Sequence, residues 1–303
     1  SLRWLHTHLD ETQVRPTLVG SINGSFFAQQ STLNRVIATV LKSPIRKAAL
    51  TLAPANPSRN LNLARCTDGV LDHVFVHSES ARDHIESVTK TEAVTTVPDP
   101  VEDWAHQLPN KETARTNLEI PIEDPVFLFF GELRDEKGIS ILLEALKEYT
   151  GPSITVVIAG KPVDVEPVDI ETACNASSAR VHIDLDYIPE ADVPMYFAAT
   201  DAVLIPYHSS FGSERTSGVF QKAAGSRRPV IAPRFNKKKK RVETWGLGTL
   251  FNPDSPESLA GTIAEFSRNP KKYKTEQLDD YVESQTFSVL AERVVSVYRS
   301  TQS

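Results

Sequence analysis

Two stretches of this sequence bring cations or a polar loop to the start of a helix. The first is Gly131-Glu132-Leu133-Arg134-Asp135-Glu136-Lys137-Gly138, which follows an apolar run and opens a helical pattern. Arg134 offers forked donors and Lys137 a point charge, so the pair can serve one diphosphate. The same octapeptide also reads as an ordinary exposed charged turn. The second stretch covers residues 201–233. Residues 202–205 are apolar, Pro206 stops the run, and residues 207–216 are polar. Ser217 and Gly218 open a helix, Gly225 closes it, and residues 229–232 are apolar again. The N–H groups of Ser217, Gly218 and Val219 would lack acceptors within that helix and can meet an anion. In the polar loop, Glu214 can accept hydrogen bonds from sugar hydroxyls, or the loop is simply solvated.

The elements that would position these residues follow from the apolar pattern. Strand and helix signals alternate regularly from Val126 onward. Strands are expected at 126–130, 154–159, 179–183, 202–205, 229–232 and 249–251. Helices are expected around Ile139, Leu142, Leu143 and Leu146, over 191–199, from Ser217 to Gly225, over 256–266 and over 288–298. Such alternation argues for a parallel sheet with flanking helices. Ligands of open α/β sheets sit where a strand's carboxyl end feeds a helix N-terminus. The first part is less regular. Residues 48–53, 73–77 and 94–97 read as strands, and 33–41 carries a helical stripe. Ser78 or Ser80 is placed to cap a helix through Ala81 and Ile85. Residues 106–116 read as a polar connector, and Pro121 and Pro125 mark the boundary between two domains.

Composition narrows the classes. The chain has 303 residues, enough for two domains. A formal net charge of −6 excludes a nucleic-acid footprint over the whole surface. Cys66 and Cys174 lie far apart and match no metal-ligand spacing, so the expected compartment is reducing. None of the eight histidines sits in a metalloprotease pattern, and no metal is assigned. No G-x-S-x-G, Walker loop or G-x-G-x-x-G occurs, which argues against serine hydrolases, P-loop enzymes and dinucleotide readers. The densest charge, Lys237 to Lys240 with Arg241, reads as a solvated loop or as a patch for phosphate or anionic lipid.

Taken in order, several segments resemble glycosyltransferase family 4, of the GT-B type. FLFFGELRDEKGISILLEAL looks like that family's first C-domain strand, glycine turn and helix. ITVVIAGKP, YIPEADVPMYFAATDAVLIPY, SGVFQKAAGSRRPVIAP and WGLGTLFNPDSPESLAGTI look like the segments that follow. FVHSESARDHI and VTTVPDPV are similar to the end of its N-terminal domain. The resemblance implies an α/β GT-B fold, two Rossmann-like domains facing across a cleft. Residues 1–120 would be a partial acceptor-side domain, 121–285 the donor-binding domain, and 286–303 a helix returning to the first. The start at Ser1, with no glycine-rich acceptor loop after it, suggests an incomplete N-terminal domain.

The resemblance further implies a retaining transfer of a sugar from a nucleotide-diphosphate sugar to an acceptor hydroxyl, without metal or other cofactor. The acceptor would be a glycan, a lipid-linked sugar or a protein, in polysaccharide, glycolipid or glycoprotein glycan synthesis. The protein would be cytoplasmic, at or near the inner membrane face, with no nucleic-acid partner. Gly131, Arg134, Lys137, Thr216, Ser217 and Gly218 would hold the donor, and Glu214 would contact its sugar as the catalytic residue. Two departures stand out. Glu132 follows Gly131 where many members carry Arg. Lys222 stands where a second Glu would hold the ribose, and a Lys cannot accept hydrogen bonds. The alternative is therefore a nucleotide-sugar-binding or partner subunit without transfer activity.

Overall fold

The computed structural model describes residues 21–22, 48–51, 73–89, 93–211, 217–273 and 276–300. The expected helix over 33–41 lies outside them, as do Glu214, Arg215 and Thr216. By contacts the described residues form two units. One holds those up to Pro100 and from Ser284 onward; the other holds those from Val101 to Glu283.

In the first unit, β1 (Ser21–Ile22), β2 (Ala48–Thr51), β3 (His73–Val76) and β4 (Val94–Thr96) form a parallel sheet in that order. Between β3 and β4 runs α1 (Glu79–Thr89), capped by Ser78, whose Oγ accepts the Ala81 N–H at 3.1 Å. Side chains alternate along β3. Val74 and Val76 pack with Ala81 and Ile85 of α1, while Phe75 packs with Val97 and the chain's last helix, Phe287–Ser300. His73 and His77 belong to this packing. Nε2 of His73 meets Thr95 Oγ1 at 2.8 Å, and Nδ1 of His77 meets the Val97 carbonyl at 3.4 Å.

The second unit contains α2 (Lys111–Asn117), β5 (Val126–Phe130), α3 (Ile139–Glu148), β6 (Thr155–Ala159), α4 (Pro167–Asn175), β7 (Arg180–Asp184) and α5 (Val193–Ala199). It continues with β8 (Ala202–Leu204), α6 (Gly218–Gly225), β9 (Val230–Pro233), α7 (Asn236–Trp245), β10 (Gly248–Phe251), α8 (Pro256–Arg268) and α9 (Glu276–Ser284). The six strands are all parallel, in the order β10-β9-β8-β5-β6-β7. Both faces are covered, which explains the unbroken apolar run of β5. Val126 and Leu128 face the side of α5 and α6; Phe127 and Phe129 face that of α3 and α8. The order reverses between β5 and β8, and open α/β sheets take their ligands at the carboxyl ends of the strands at such a switch point.

Expectations for two regions need correction. Residues 101–120, grouped above with the N-terminal domain, pack in the second unit, with Val101, Trp104, Ala114 and Ile120 buried in its core. The polar connector contains a helix, α2, capped by Asn110, whose Oδ1 accepts the Glu112 N–H at 2.9 Å. Its anchor is polar, so no apolar stripe reveals it. The buried Arg115 guanidinium donates to the Ala199 and Asp124 carbonyls, each at 2.9 Å, to the Ile122 carbonyl, and to Asp201 Oδ2 at 2.7 Å. Lys111 pairs with the other Asp201 oxygen. The second correction concerns the basic run 237–241, which lies within α7 and is not a loop.

Arg115→Ala should lower unfolding stability by about 3 kcal/mol, because it leaves three carbonyls without this donor and Asp201 without its buried cation. Urea denaturation checks this; a loss within the error of the midpoint would mean that the guanidinium is not the anchor of α2.

Candidate functional site

Three loops converge at the reversal of strand order. The first leaves β5 at Gly131, whose N–H donates to the Ala159 carbonyl at 2.9 Å. Leu133, fully buried, bridges to Pro162 in the loop leaving β6. A single 3₁₀ turn, Asp135–Lys137, then leads into α3 through Gly138. Gly138 has φ +76°, and a Cβ there would collide with the Pro206 carbonyl oxygen just beyond β8. A Cβ on Gly160 would likewise strike the Gly131 carbonyl oxygen. These glycines therefore set how closely the loops stack.

Lys137 curls back over the start of its own loop. A Cβ built on Gly131 would lie 3.8 Å from Lys137 Nζ and 3.6 Å from Val219 Cγ2, in the first turn of α6. The loop and the helix start, read separately in the sequence, thus meet at Gly131. Arg134 is placed differently. Its Nε donates to Glu132 Oε2 at 3.0 Å on the surface. This bond holds the Glu132 carboxyl below the usual carboxylate range and raises the guanidinium's own. The departure at Glu132 thus partners Arg134.

Ser217 is the N-cap of α6. Its Oγ accepts the Phe220 N–H at 3.2 Å and shares a 2.9 Å hydrogen bond with the buried Tyr207 hydroxyl. The side chain is thereby committed to shaping the helix start, and the N–H groups of Gly218 and Val219 remain as donors with no acceptor inside the helix. Among the described residues, none has an atom within 4 Å of a Cβ built on Gly218. Gly131, Lys137, Ser217 and Gly218 are brought together; Glu214 and Thr216 fall outside the described residues.

Lys222, one turn further along α6, is held between two groups. Its Nζ lies 2.5 Å from Glu190 Oε1 and 3.9 Å from the centroid of the Trp104 ring. The carboxylate nearest this position therefore comes from the loop after β7. Asp184, at the end of β7, accepts the Tyr196 hydroxyl, and burial pushes that phenol up. Burial also pushes the Cys174 thiol up to about 11, which keeps it out of nucleophilic chemistry. Among the described residues, no group of three His, Cys, Asp or Glu is arranged to hold a metal, and no helix is long and apolar enough to cross a membrane.

One group of residues escaped the sequence reading. His208, counted there only among polar loop residues, contacts Asp254 in the β10–α8 turn and Ser140 in α3. No spacing pattern joins positions 140, 208 and 254. Only the strand order brings them to one end of the sheet.

Comparison with known proteins gives a consistent picture. The family model for glycosyl transferases group 1 matches residues 110–282, more than half of the chain. A GDP-mannose:glycolipid 4-beta-D-mannosyltransferase of Xanthomonas campestris pv. campestris is 30% identical over 125 residues, 41% of this chain and 34% of that protein. A D-inositol 3-phosphate glycosyltransferase of Corynebacterium diphtheriae is 27% identical over 200 residues, 62% of this chain and 45% of that protein. The matched part of the chain thus spans less than half the length of these relatives. Among solved structures, sucrose-phosphate synthase from Thermosynechococcus elongatus superposes with a TM-score of 0.73 at 16% identity, covering 99% of this chain and 77% of that one. Anabaena Alr3699/HepE, in complex with UDP and glucose, gives 0.74 at 16% identity, covering 98% and 82%. The likeness shows the fold: α/β, of the GT-B glycosyltransferase type.

Two glycine substitutions separate tight packing from open space. Gly138→Ala should cost about 2 kcal/mol, from the left-handed backbone and the Pro206 clash. Gly218→Ala should leave stability unchanged or raise it by up to about 1 kcal/mol. Thermal denaturation of both variants tests this, and equal losses would contradict it.

Proposed function

As the chain belongs to the glycosyl transferases of group 1, we propose that it moves a sugar from a nucleotide-diphosphate donor to an acceptor hydroxyl, with retention at the anomeric carbon. The observation that carries the reading is the meeting of Lys137, Gly131 and the first turn of α6 at the reversal of strand order. As the bond between anomeric carbon and diphosphate oxygen breaks, negative charge grows on the departing diphosphate. A fixed cation and unpaired helix N–H groups oppose that charge with no reorganisation. Lys137 Nζ supplies the cation, and Gly218 and Val219 the N–H groups. Arg134 adds a second cation at the rim, reached by releasing Glu132. The acceptor oxygen bonds to the anomeric carbon, and its proton leaves with the diphosphate. Glu214, from the polar loop ahead of α6, would contact the donor sugar. The Anabaena neighbour's complex with UDP and glucose supports a uridine diphosphate sugar, and the Xanthomonas relative's name a GDP-sugar with a glycolipid acceptor.

Lys137→Ala should lower kcat/KM for transfer about a hundredfold, while Arg134→Ala should cost less. Gly218→Ala, neutral for folding, should weaken UDP or GDP binding by putting a methyl group into the donor space. Unchanged turnover in Lys137→Ala would remove the diphosphate assignment.

Stereochemistry is a separate measurement. The Xanthomonas relative is named for a β-linked product. Here the anomeric proton coupling of the product should show the donor's own configuration, and an inverted product would overturn the retaining mechanism. Binding without transfer is the second reading, favoured by Lys222 being fixed on Glu190 and Trp104. Calorimetry beside a transfer assay distinguishes the two: tight donor binding with no product for any acceptor would select it.

A further inference from the structure

The loop carrying Lys137 is short and lies at the surface. Its position needs a fixed point outside itself. One tie is known from the geometry already given, the contact of Gly138 with the Pro206 carbonyl. A second comes from Asp164, whose Oδ1 accepts the Asp135 N–H at 2.9 Å. The third, and the most connected, is His208.

The His208 main-chain N–H donates to the Glu136 carbonyl at 3.3 Å, inside the turn. Its ring reaches two elements. Nδ1 lies 2.9 Å from Asp254 Oδ1, and the Ser209 N–H donates to that same oxygen at 3.1 Å. Nε2 lies 3.3 Å from Ser140 Oγ and 3.7 Å from Asp135 Oδ1. Ser140 Oγ in turn donates to Asp135 Oδ1 at 2.6 Å. Among the described residues, the ionisable side chains facing the ring are Asp254 and Asp135.

The contacts limit which atoms can donate. A hydroxyl has one proton, and an ionised carboxylate only accepts. If Ser140 gives its proton to Asp135, it has none left for Nε2, so Nε2 must donate to Ser140 Oγ. Nδ1 faces a carboxylate and must donate as well. Every contact is therefore satisfied at once when both ring nitrogens carry hydrogen. Asp254 fits its part: burial alone would push its carboxyl up, but the Ser209 and His208 bonds outweigh this and hold it below the usual range. Removing one ring proton leaves one of these contacts with two acceptors facing each other.

We propose that His208 is the positioning residue of the donor site, a clamp that pins the 3₁₀ turn bearing Lys137 to the end of β8 and to the β10–α8 turn. The clamp rests on the donor reading for its purpose, though not for its geometry. His208 would act through Lys137 and touch no reacting atom. Without these contacts, the turn should loosen and the site should hold diphosphate less well.

The test uses the full chain, as wild type and as His208→Gln and Ser140→Ala. Amide hydrogen exchange is followed in the turn, where the Lys137 and Gly138 N–H groups donate to the Arg134 and Asp135 carbonyls at 3.0 and 2.7 Å. Calorimetric binding of UDP and of GDP is measured beside it. Both variants should exchange these amides faster than wild type, with melting temperature little changed. Wild type should bind the nucleotides about tenfold more tightly than His208→Gln. Unchanged exchange in both variants would overturn the clamp. Equal nucleotide affinity in wild type and His208→Gln would overturn the positioning role. If exchange responds but wild type binds neither nucleotide, the donor reading fails and the clamp stands as a structural tie.

Discussion

The constraint on which this site depends is how closely backbone can approach backbone at the carboxyl ends of β5, β6 and β8. Two carbonyl oxygens, those of Gly131 and Pro206, lie where the side chains of residues 160 and 138 would begin. Only glycine leaves room. With that contact made, the loop after β5 lies flat against the exit of β8, and Lys137 and the first turn of α6 share one small volume. Without it, the loops would splay and the cation would be separated from the helix start by the width of an extra side chain. The chemistry of the site is thus set by hydrogen-sized clearances between main-chain atoms, before any charge is considered.

Electrostatics then acts on a frame already fixed. The cations divide into two groups. Arg115 and Arg228 are spent on main-chain carbonyls: Arg228 Nε donates to the Phe197 carbonyl at 2.8 Å, and burial lowers its pKa from the usual value. Arg227 bridges Asp103 and Asp279, joining the segment that enters the second unit to α9, and its bonds hold the Asp103 carboxyl below the usual range. These charges hold helices together in a unit whose sheet already supplies the apolar core. Lys137 differs because its ammonium lies over a glycine, the one residue type that leaves a polar ligand access to main chain and charge together. Lys222, by contrast, sits on an aromatic face with a carboxylate at its tip, an arrangement that fixes it in place.

Much of this was legible in the sequence. The inner strands of the second unit, β5, β6, β8 and β9, were readable because both of their faces are buried, so each is a largely apolar run. The edge strand β7 carries Arg180, His182 and Asp184 and gives a weaker signal. The turn at Gly131 to Gly138 and the helix at Ser217 were readable because glycine and serine mark backbone requirements directly. What stayed hidden has a shared physical cause. α2 is held by a buried guanidinium, and α7 carries a run of lysines, so both lack the apolar stripe that periodicity detects. The His208 contacts join three loops that only strand order brings together. The capping role of Ser217 is legible from its type, but its bond to Tyr207 requires knowing that the residue just beyond β8 lies against the helix start.

The last helix has a consequence for how the protein comes into being. Its Leu290, Ala291, Val294 and Val295 cover Phe75 in β3 and Val97 just after β4. A chain emerging from the ribosome presents β3 and β4 well before this helix, so Phe75 and Val97 wait for these four side chains while the second unit is made. The second unit, contiguous between those points, can complete its core first, against the usual order of domains during synthesis. Until the helix emerges, Phe75 lacks this cover, and the nascent chain depends on chaperones more than it does once the helix has docked.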